Sequence, residues 1–498
     1  MSSGTIILLA LVAAVTVLGF FAARWGKHDM GSLDEWALGG RRFGTIVSWF
    51  LLGGDLYTAY TFIAVPALAF GVGALAFFAV PYATVVYPFV FLVMARFWTV
   101  AKNRGCVTTA DFVHARFGSR ALELAIALTG VLATMPYIAL QLIGMQVVLV
   151  RSGLAASSTA VLIAAFVLLG AYTFTSGLRA PAMIAFVKDA LIYITVIAAI
   201  VIIPAKLGGW QHVFDAAQAA LASKPKPGSI MLAPASYFAY ASLALGSAFA
   251  LFIYPHSITS LLSAKSAGVV RRNCALLPLY TILLGLLALL GYCALAAGIH
   301  VKNNSFAIPE LFVRFFPNWF TGVAFAAIVI GALVPAAIMA IGAANLFASN
   351  ILTTFESRRE RPRSEANTAR YLSLVVLFGA LVIAMTIKPA YAINFQLLGG
   401  AWILQIFPSV VLGLYSRRFH PHGLLLGWFC GMLAATLMAV STNFAPVFPI
   451  HVGGFSLGGA IVLYSLLVNL IITFAATWVF DAMKIDRGYD YTIAGDYA

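Results

Sequence analysis

The feature that most constrains this sequence of 498 residues is a series of apolar runs about twenty residues long or longer. A helix of about 20 apolar residues crosses a bilayer core about 30 Å thick. The runs predict an all-α polytopic membrane protein with about 13 transmembrane helices, called spans 1 to 13 below. Glycine, proline and charge clusters place them at approximately 4–23, 44–70, 74–99, 121–150, 156–176, 182–204, 236–263, 274–299, 318–352, 371–388, 391–415, 422–442 and 455–480.

Composition excludes a soluble protein of this length. Hydrophobic residues make up 62% of the chain and charged residues 9%, whereas a globular domain has about 45–50% apolar and about 25% charged residues. The net charge of +14 does not indicate nucleic-acid binding, because the basic residues lie in short loops between apolar runs. The four cysteines lie far apart, and we expect them to pack as small hydrophobic residues.

The second and seventh runs contain interruptions typical of broken helices. In the second run Asp55 follows Gly53-Gly54 inside an apolar stretch, and a buried charge at such a place is a functional candidate. The alternative is a structural aspartate that caps a restarted half-helix beside Thr58. The seventh run contains Tyr254-Pro-His256-Ser, where His256 either accepts protons, touches substrate or is a neutral residue bonded to a carbonyl.

The two interruptions lie five spans apart, which predicts two inverted five-helix repeats, spans 2–6 and 7–11, with a site near the midplane. With the N-terminus outside, 23 of the 30 Lys and Arg residues fall on the inner side, which predicts an N-out, C-in orientation. We therefore expect a single transmembrane domain. It comprises a first helix and inner loop (1–43), repeat one (44–204), an outer loop (205–235), repeat two (236–415), two peripheral helices (416–480) and a cytoplasmic tail (481–498).

Three further sets of residues have less specific patterns. Lys188-Asp189 opens the sixth run and is interpreted as an interfacial pair, although the Asp189 carboxylate also suits an inner exit path. The small residues of the ninth run are interpreted as helix packing. His420-Pro-His422 lacks a third ligand nearby, so we expect no metal site there.

Several segments together resemble the sodium:solute symporter family over about residues 33–480. They are 38–42, Asp55, Gly177-Leu178 followed by Asp189, Pro255-His256 and Pro408. The resemblance implies thirteen or more helices with a five-plus-five inverted-repeat core. Within the family, segments 34–44, 53–62, 254–257 and 334–339 look most like the bacterial monocarboxylate permeases, which take up lactate, pyruvate and related short acids.

The resemblance also implies a position for the coupling ion. Sodium-binding members use carbonyl groups that match Gly53 and Leu56 in span 2, and span 9 residues that here are Gly331, Val334 and Pro335. Two of these span 9 positions carry hydroxyls in the family, but Val334 and Pro335 offer no side-chain oxygen. Since sodium is a hard cation that needs several oxygen ligands, we expect a weakened sodium site and a proton on Asp55 instead. Sodium bound in another way through Asp55 is the alternative.

By the same resemblance, the substrate site lies between spans 2, 3, 7 and 11. Hydroxyls, a half-helix N-terminus and His256 would hold a small carboxylate. The expected residues are Tyr57, Thr58, Tyr60, Thr61, Tyr82, Tyr254, His256, Trp402 and Gln405.

The leading hypothesis is a symporter in the bacterial inner membrane that imports a short monocarboxylate by alternating access. It would use H+ or Na+ as its coupling cation and no cofactor, with a small organic acid and the lipid bilayer as its partners. A sodium-coupled carrier of an amino acid or other small solute is the alternative. A channel and a membrane sensor module are alternatives of a different class, and we expect no enzyme, because no nucleophile–base pair or metal cluster lies in the spans.

Overall fold

The computed structural model describes residues 2–24, 32–54, 57–154, 158–352, 364–387, 392–452 and 455–497. Asp55 and Leu56, which the sequence assigns to ion coupling, lie outside these described residues. The helices of the first half are α1 (Ser3–Arg24), α2 (Leu33–Leu38), α3 (Thr45–Gly54), α4 (Tyr60–Val72), α5 (Ala74–Arg104), α6 (Thr109–Phe117), α7 (Arg120–Arg151), α8 (Ser158–Ser176), α9 (Arg179–Lys206) and α10 (Trp210–Ala222).

The second half is also mainly helical and contains one β-hairpin. Its elements are α11 (Pro234–Leu251), α12 (Pro255–Leu262), α13 (Ala267–Ala296), α14 (Ala307–Phe315), α15 (Asn318–Leu352), α16 (Ser364–Thr386), α17 (Ala392–Tyr415), α18 (Pro421–Ser441), β1 (Val447–Val452), β2 (Phe455–Ala460) and α19 (Ile461–Ala482). The two strands are antiparallel and pair Val447 with Ala460 and Val452 with Phe455.

Within the described ranges, ten helices are long and apolar enough to cross a membrane. The pair α11 and α12 forms an eleventh candidate that bends by 51°. The shorter apolar helices α3, α4 and α8 coincide with predicted spans 2 and 5. These findings confirm a polytopic helical membrane protein, while the count of thirteen spans and the N-out orientation stay predictions.

Helix breaks occur in both predicted places, and each has a local cause. Helix α3 ends at the weak helix formers Gly53-Gly54, and Tyr57 and Thr58 ahead of α4 are not helical. Tyr254 is extended, with φ −61° and ψ 145°, because the proline that follows it disfavours helical geometry. We call these segments the span 2 break and the span 7 break. Their relation as inverted repeats stays a prediction.

The core of the molecule is α15, the ninth predicted span. Its most apolar eighteen-residue stretch is 100% buried, against 33% for the corresponding stretch of α18. Small residues permit this burial, because a Cβ on Gly322 would lie 2.3 Å from the carbonyl oxygen of Gly4 in α1. A Cβ on Gly342 would lie 2.8 Å from the backbone nitrogen of His256. The close approach supports the packing interpretation of the ninth run.

The last transmembrane helix begins later than the sequence predicts. The last span was predicted from residue 455, but α19 begins at Ile461 because Phe455–Ala460 forms β2. The dipeptide Gly453-Gly454, which lies between the strands in sequence, is typical of hairpin turns.

The segment His420-Pro-His422, where we expected no metal site, has a structural role. His420 Nδ1 accepts a hydrogen bond from the His422 backbone N–H at 3.2 Å. His420 thus caps the start of α18.

Candidate functional site: two helix breaks and a tyrosine-lined cavity

The span 2 break has its free backbone N–H groups satisfied by side chains. Thr58 Oγ1 accepts a hydrogen bond from the Tyr60 N–H at 3.0 Å. Gln141 of α7 reaches across, and its Oε1 accepts from the Ala59 N–H at 2.7 Å. Thr61 is the second residue of α4 and is buried. The protein's own oxygens therefore bind the described N–H groups at the N-terminus of this half-helix, and Thr58 is one of its caps. The alternative of a capping Asp55 falls on a residue outside the described ranges.

The backbone oxygens of the same break meet a buried ion pair. Lys188 Nζ donates to the carbonyl oxygens of Gly54 at 3.3 Å and Tyr57 at 3.5 Å. It also lies 2.7 Å from Asp189 Oδ1. Both charged side chains are 0% exposed. The pair is thus enclosed by protein, with Lys188 about two and a half turns inside α9, while its position at the membrane interface stays a prediction. A role for Asp189 on an exit path stays a prediction.

Two tyrosines complete a closed ring around this ion pair. The Tyr280 hydroxyl of α13 donates to Asp189 Oδ2 at 2.6 Å. The Tyr57 hydroxyl donates to the Tyr280 carbonyl oxygen at 2.9 Å. Gly53 makes this possible, since a Cβ there would lie 2.1 Å from the Tyr280 ring. Spans 2, 6 and 8 are therefore joined by one buried polar network.

The span 9 residues predicted for ion coupling lie near this network but add no side-chain oxygen. Val334 and Pro335 are buried in α15. The nearest atom to a Cβ on Gly331 would be Ile192 Cδ1, at 3.7 Å. Because Ile192 follows Lys188 by four residues, both lie on one face of α9. Gly331 and Val334, three residues apart, likewise share a face of α15.

The second part of the site is a cavity of about 50 Å³ that reaches the span 7 break. It is lined by phenol rings from four spans and by the polar residues Ser247, Asn394 and Gln396. Of the described residues that line it, none carries a charge. The four phenol rings belong to Tyr60, Tyr82, Tyr137 and Tyr254.

Three of the predicted substrate residues, Tyr60, Tyr82 and Tyr254, line this cavity together. Tyr57, Thr58 and Thr61 do not; Tyr57 and Thr58 are used in the span 2 break instead. Sequence reasoning missed Tyr137 and the span 11 amides. The signal for Tyr137 is its place between Pro136 and Gln141 in an otherwise apolar run, where polar groups are costly.

His256 lies behind the cavity wall. Its ring centroid is 5.2 Å from that of Tyr254 and 5.5 Å from that of Tyr137. Within the described part of the chain, neither ring nitrogen of His256 has a hydrogen-bond partner, and the Tyr254 hydroxyl also lacks one. The span 7 break therefore presents unused polar atoms beside the cavity. The rings of Tyr254 and Tyr137 separate His256 from the cavity.

Trp402 and Gln405 face away from the cavity, contrary to the sequence expectation. Trp402 Nε1 donates to Thr436 Oγ1 in α18 at 3.1 Å. Gln405 Nε2 donates to Ser465 Oγ in α19 at 2.9 Å. The physical reason is that polar N–H groups in the protein interior need hydrogen-bond partners, and the peripheral helices α18 and α19 supply them. These two residues join the core to the peripheral helices.

A larger cavity of about 340 Å³ adjoins the first one. It lies against the C-terminal half of α4 and against residues 302–305, and Asn394 lines both cavities. Its lining includes Lys302, Asn303 and Asn304. The positive charge and amide groups suit a vestibule that collects anions.

Comparison with known proteins agrees with this arrangement. The model of the sodium:solute symporter family matches residues 36–431. A monocarboxylate transport permease protein of Rhizobium johnstonii is 52% identical over 441 residues, covering 88% of this chain and 89% of that protein. The uncharacterized symporter YodF of Bacillus subtilis is 35% identical, covering 87% of each chain.

A solved structure shares the fold. It is a Na+-coupled sialic acid symporter in a substrate-bound outward-open state, with a TM-score of 0.77 at 14% identity over 96% of this chain and 98% of that chain. The family match and the relatives make the protein a solute symporter of the bacterial inner membrane. These relatives are transporters, which agrees with the expectation that the chain is not an enzyme. The chain belongs to the sodium:solute symporter family.

Proposed function

We propose that this symporter imports a short monocarboxylate, such as lactate or pyruvate, together with a proton. The observation that carries the proposal is the small cavity lined by four phenol rings and by neutral polar side chains. The 52% identity to a monocarboxylate transport permease protein supports the same substrate class. Alternating access would expose this cavity first to the vestibule with Lys302 and then to the opposite side.

The size of the cavity favours a three-carbon acid. One water needs about 10–15 Å³ of the same kind of volume, so a cavity of about 50 Å³ holds about three to five such groups. Lactate and pyruvate have six non-hydrogen atoms each, and because bonded atoms lie closer together than separate waters, either acid is of comparable size. Larger acids would require the side chains of this wall to move apart.

The absence of charge among the described lining residues favours cotransport with a proton. A carboxylate in a low-dielectric site without a countercharge is costly, and the described lining offers phenol hydroxyls and amides but no cation. Cotransport with one proton makes the translocated load neutral. The unpartnered Tyr254 hydroxyl is available to donate to the carboxylate.

Uptake into proteoliposomes tests the proposal. Purified protein should accumulate labelled lactate and pyruvate under an imposed proton gradient without sodium, with protein-free liposomes as the background for passive weak-acid diffusion. Unlabelled acetate and pyruvate should compete, while proline and succinate should not. Uptake of proline, or no saturable uptake of either acid, would remove the substrate assignment.

A sodium-coupled carrier of another small solute is the second candidate. Membership of the sodium:solute symporter family favours it. The same vesicles separate the two candidates when a sodium gradient is imposed at equal pH. Uptake that depends on sodium under these conditions would favour the second candidate.

A further inference from the structure

We propose that the C-terminal segment 485–497, called the strap below, is a latch on the predicted inner side of the protein. In the docked position seen here, the strap holds α6 against the end of α17. Once released, it lets these two elements separate and that side of the protein open. The inference goes beyond the proposed function, because it concerns a movement of the protein and does not depend on which solute is carried.

The strap runs along α6 in close contact with its backbone. The Tyr491 backbone N–H donates to the Ala115 carbonyl oxygen at 2.8 Å, and the Tyr491 ring stacks on that of His114 with centroids 6.1 Å apart. Gly118, the residue after α6, has a φ of +62°, and a Cβ there would lie 2.6 Å from the Tyr489 carbonyl oxygen. A glycine at this position therefore leaves the strap room to pass.

Arg116 of α6 links the strap to α17. Its side chain is 4% exposed and forms an ion pair with Asp490 of the strap. The same guanidinium donates to the carbonyl oxygens of Gly413 and Ser416 at the end of α17, at 2.9 Å each. Because a buried charge without a countercharge is costly, the Asp490 carboxylate supports the contact that Arg116 makes with α17. Release of the strap would weaken this contact.

The last residues of the strap bind the end of α5. Asn103 Nδ2 donates to the Asp496 carbonyl oxygen at 3.1 Å, and Arg104 Nε lies 3.8 Å from Asp496 Oδ2. The Arg96 guanidinium lies over the rings of Tyr415 at the end of α17 and of Tyr497 in the strap, 4.8 Å and 5.2 Å from their centroids. The strap thus connects elements from three separate parts of the sequence.

The two helices that the strap joins lead to the buried core and to the substrate cavity. Helix α6 is tied to α15, because Asn350 Nδ2 donates to Asp111 Oδ1 at 2.7 Å. Helix α17 lines the small cavity near its other end, from Asn394 to Ala401. A movement of α17 away from α6 would break the Arg116 contacts and shift the cavity wall at the same time. The strap is therefore placed to couple the two events.

The strap is held by polar contacts and can release without unfolding the rest of the protein. Only Thr492 and Asp496 are buried among its residues, whereas Ile493 is 64% exposed. Segments with few buried apolar contacts open locally at a small cost in free energy. The ion pairs of the strap also reach solvent, since Asp490 is 29% exposed and Arg417, 3.5 Å from it, is 62% exposed. Salt should therefore weaken the docking of the strap.

Cys106 is a natural reporter of strap release. It lies between α5 and α6 and is 4% exposed. Burial raises the pKa of its thiol, and the carboxylates of Asp111 and of Asp496 in the strap add to this effect. Because the thiolate is the reactive form, Cys106 should react slowly with N-ethylmaleimide while the strap is docked. Peptide mass spectrometry measures this reaction at Cys106 alone.

The first experiment measures labelling of Cys106 in detergent without substrate. Asp490→Asn keeps the strap but removes the countercharge of Arg116, and it should accelerate labelling about ten- to hundredfold, the factor expected for one hydrogen bond to a charged group. Deletion of residues 486–498 should accelerate it at least as much. Asp486→Asn is the matched control, since Asp486 is exposed and accepts from the Gly488 N–H at 3.1 Å. Its labelling should equal that of the wild type.

Salt and heat separate a latch from a static brace. In the wild type, 0.5 M choline chloride should accelerate labelling several-fold without lowering the midpoint of heat unfolding, and the deletion variant should not respond. The midpoint of the deletion variant should stay close to that of the wild type. Labelling of the wild type that rises only as the protein unfolds, or equal labelling of the wild type and Asp490→Asn, would overturn the inference.

A measurement with substrate connects the latch to transport. Saturating lactate should accelerate wild-type labelling of Cys106 at least about threefold, because turnover populates the released state, and it should not affect the deletion variant. If the wild type exchanges lactate in proteoliposomes but its labelling is indifferent to lactate, the latch is wrong and the proposed substrate stands. If the wild type exchanges neither lactate nor pyruvate while the salt response is as expected, the proposed substrate is wrong and the latch stands.

Discussion

The span 2 break and the span 7 break differ in how their polar groups are satisfied. At the span 2 break, Thr58 and Gln141 accept from backbone N–H groups, and Lys188 donates to two carbonyl oxygens. At the span 7 break, the Tyr254 hydroxyl and both His256 ring nitrogens have no partner among the described residues. The described backbone groups of the span 2 break thus have protein partners, whereas these polar atoms of the span 7 break do not.

The difference indicates which of the two breaks is the better candidate for binding a ligand. Buried polar groups without partners are costly, so a protein retains them where a ligand supplies the missing hydrogen bonds. The span 7 break lies beside the small cavity and fits this description. The described backbone groups of the span 2 break already have protein partners, among them Lys188 of α9. We therefore expect the substrate to bind at the span 7 break.

The largest expected effect concerns the stability of the ion pair. Lys188→Met should lower the free energy of unfolding by about 3–5 kcal/mol, because it leaves the Asp189 carboxylate buried without a countercharge. Lys188→Met with Asp189→Leu should recover most of this loss. Unfolding by sodium dodecyl sulfate in mixed micelles measures these proteins together with Asp189→Leu, and the double-mutant cycle of the four proteins gives the coupling energy.

His256→Leu is the matched variant at the span 7 break. It removes polar atoms that are as buried as those of Lys188 but have no hydrogen-bond partner among the described residues. Its free energy of unfolding should therefore stay close to that of the wild type. A loss as large as that of Lys188→Met would mean that His256 has a strong partner in the folded protein. The contrast between the two breaks would then disappear.

Removal of single hydroxyl groups should have smaller effects, which separate substrate binding from the stability of the protein. Tyr254→Phe should raise the KM for lactate roughly ten- to hundredfold, since a hydrogen bond to a charged group contributes about 1.5–3 kcal/mol. Its unfolding midpoint should not change, because that hydroxyl has no partner without substrate. Initial uptake rates over a range of lactate concentrations measure the KM.

Tyr57→Phe should show the opposite pattern. Its hydroxyl donates to the Tyr280 carbonyl oxygen, so the loss should appear in the free energy of unfolding, at about 1.5 kcal/mol for one buried hydrogen bond. The KM for lactate should change less than threefold. If Tyr57→Phe raised the KM as much as Tyr254→Phe, the substrate would contact both breaks.

The sequence predicted the breaks well because their causes are local. Paired glycines and Tyr-Pro-His weaken or interrupt a helix whatever surrounds them. Hydrophobic length likewise predicted the helices, from Ser3–Arg24 to Ile461–Ala482. The β-hairpin before Ile461 was missed because its residues are as apolar as those of a span.

The partners across helices could not be predicted in the same way. Lys188-Asp189 lies near the start of a run, and only the packing of α9 against spans 2 and 8 shows that the pair is buried. Gln405 looked available for substrate until Ser465 of a peripheral helix provided its partner. Both depend on long-range geometry, for which one sequence without its fold contains no direct signal.

The smallest expected effect tests whether the span 2 break is complete without a ligand. Gln141→Met keeps the length of the side chain but removes the oxygen that accepts from the Ala59 N–H at 2.7 Å. Losing one cap of a buried half-helix should cost about 1 kcal/mol of unfolding free energy. Lactate should not compensate for it, so saturating lactate should raise the unfolding midpoint of the variant and the wild type equally. A larger lactate effect in the variant would mean that the acid can take the place of Gln141, and the half-helix N-terminus would then belong to the substrate site.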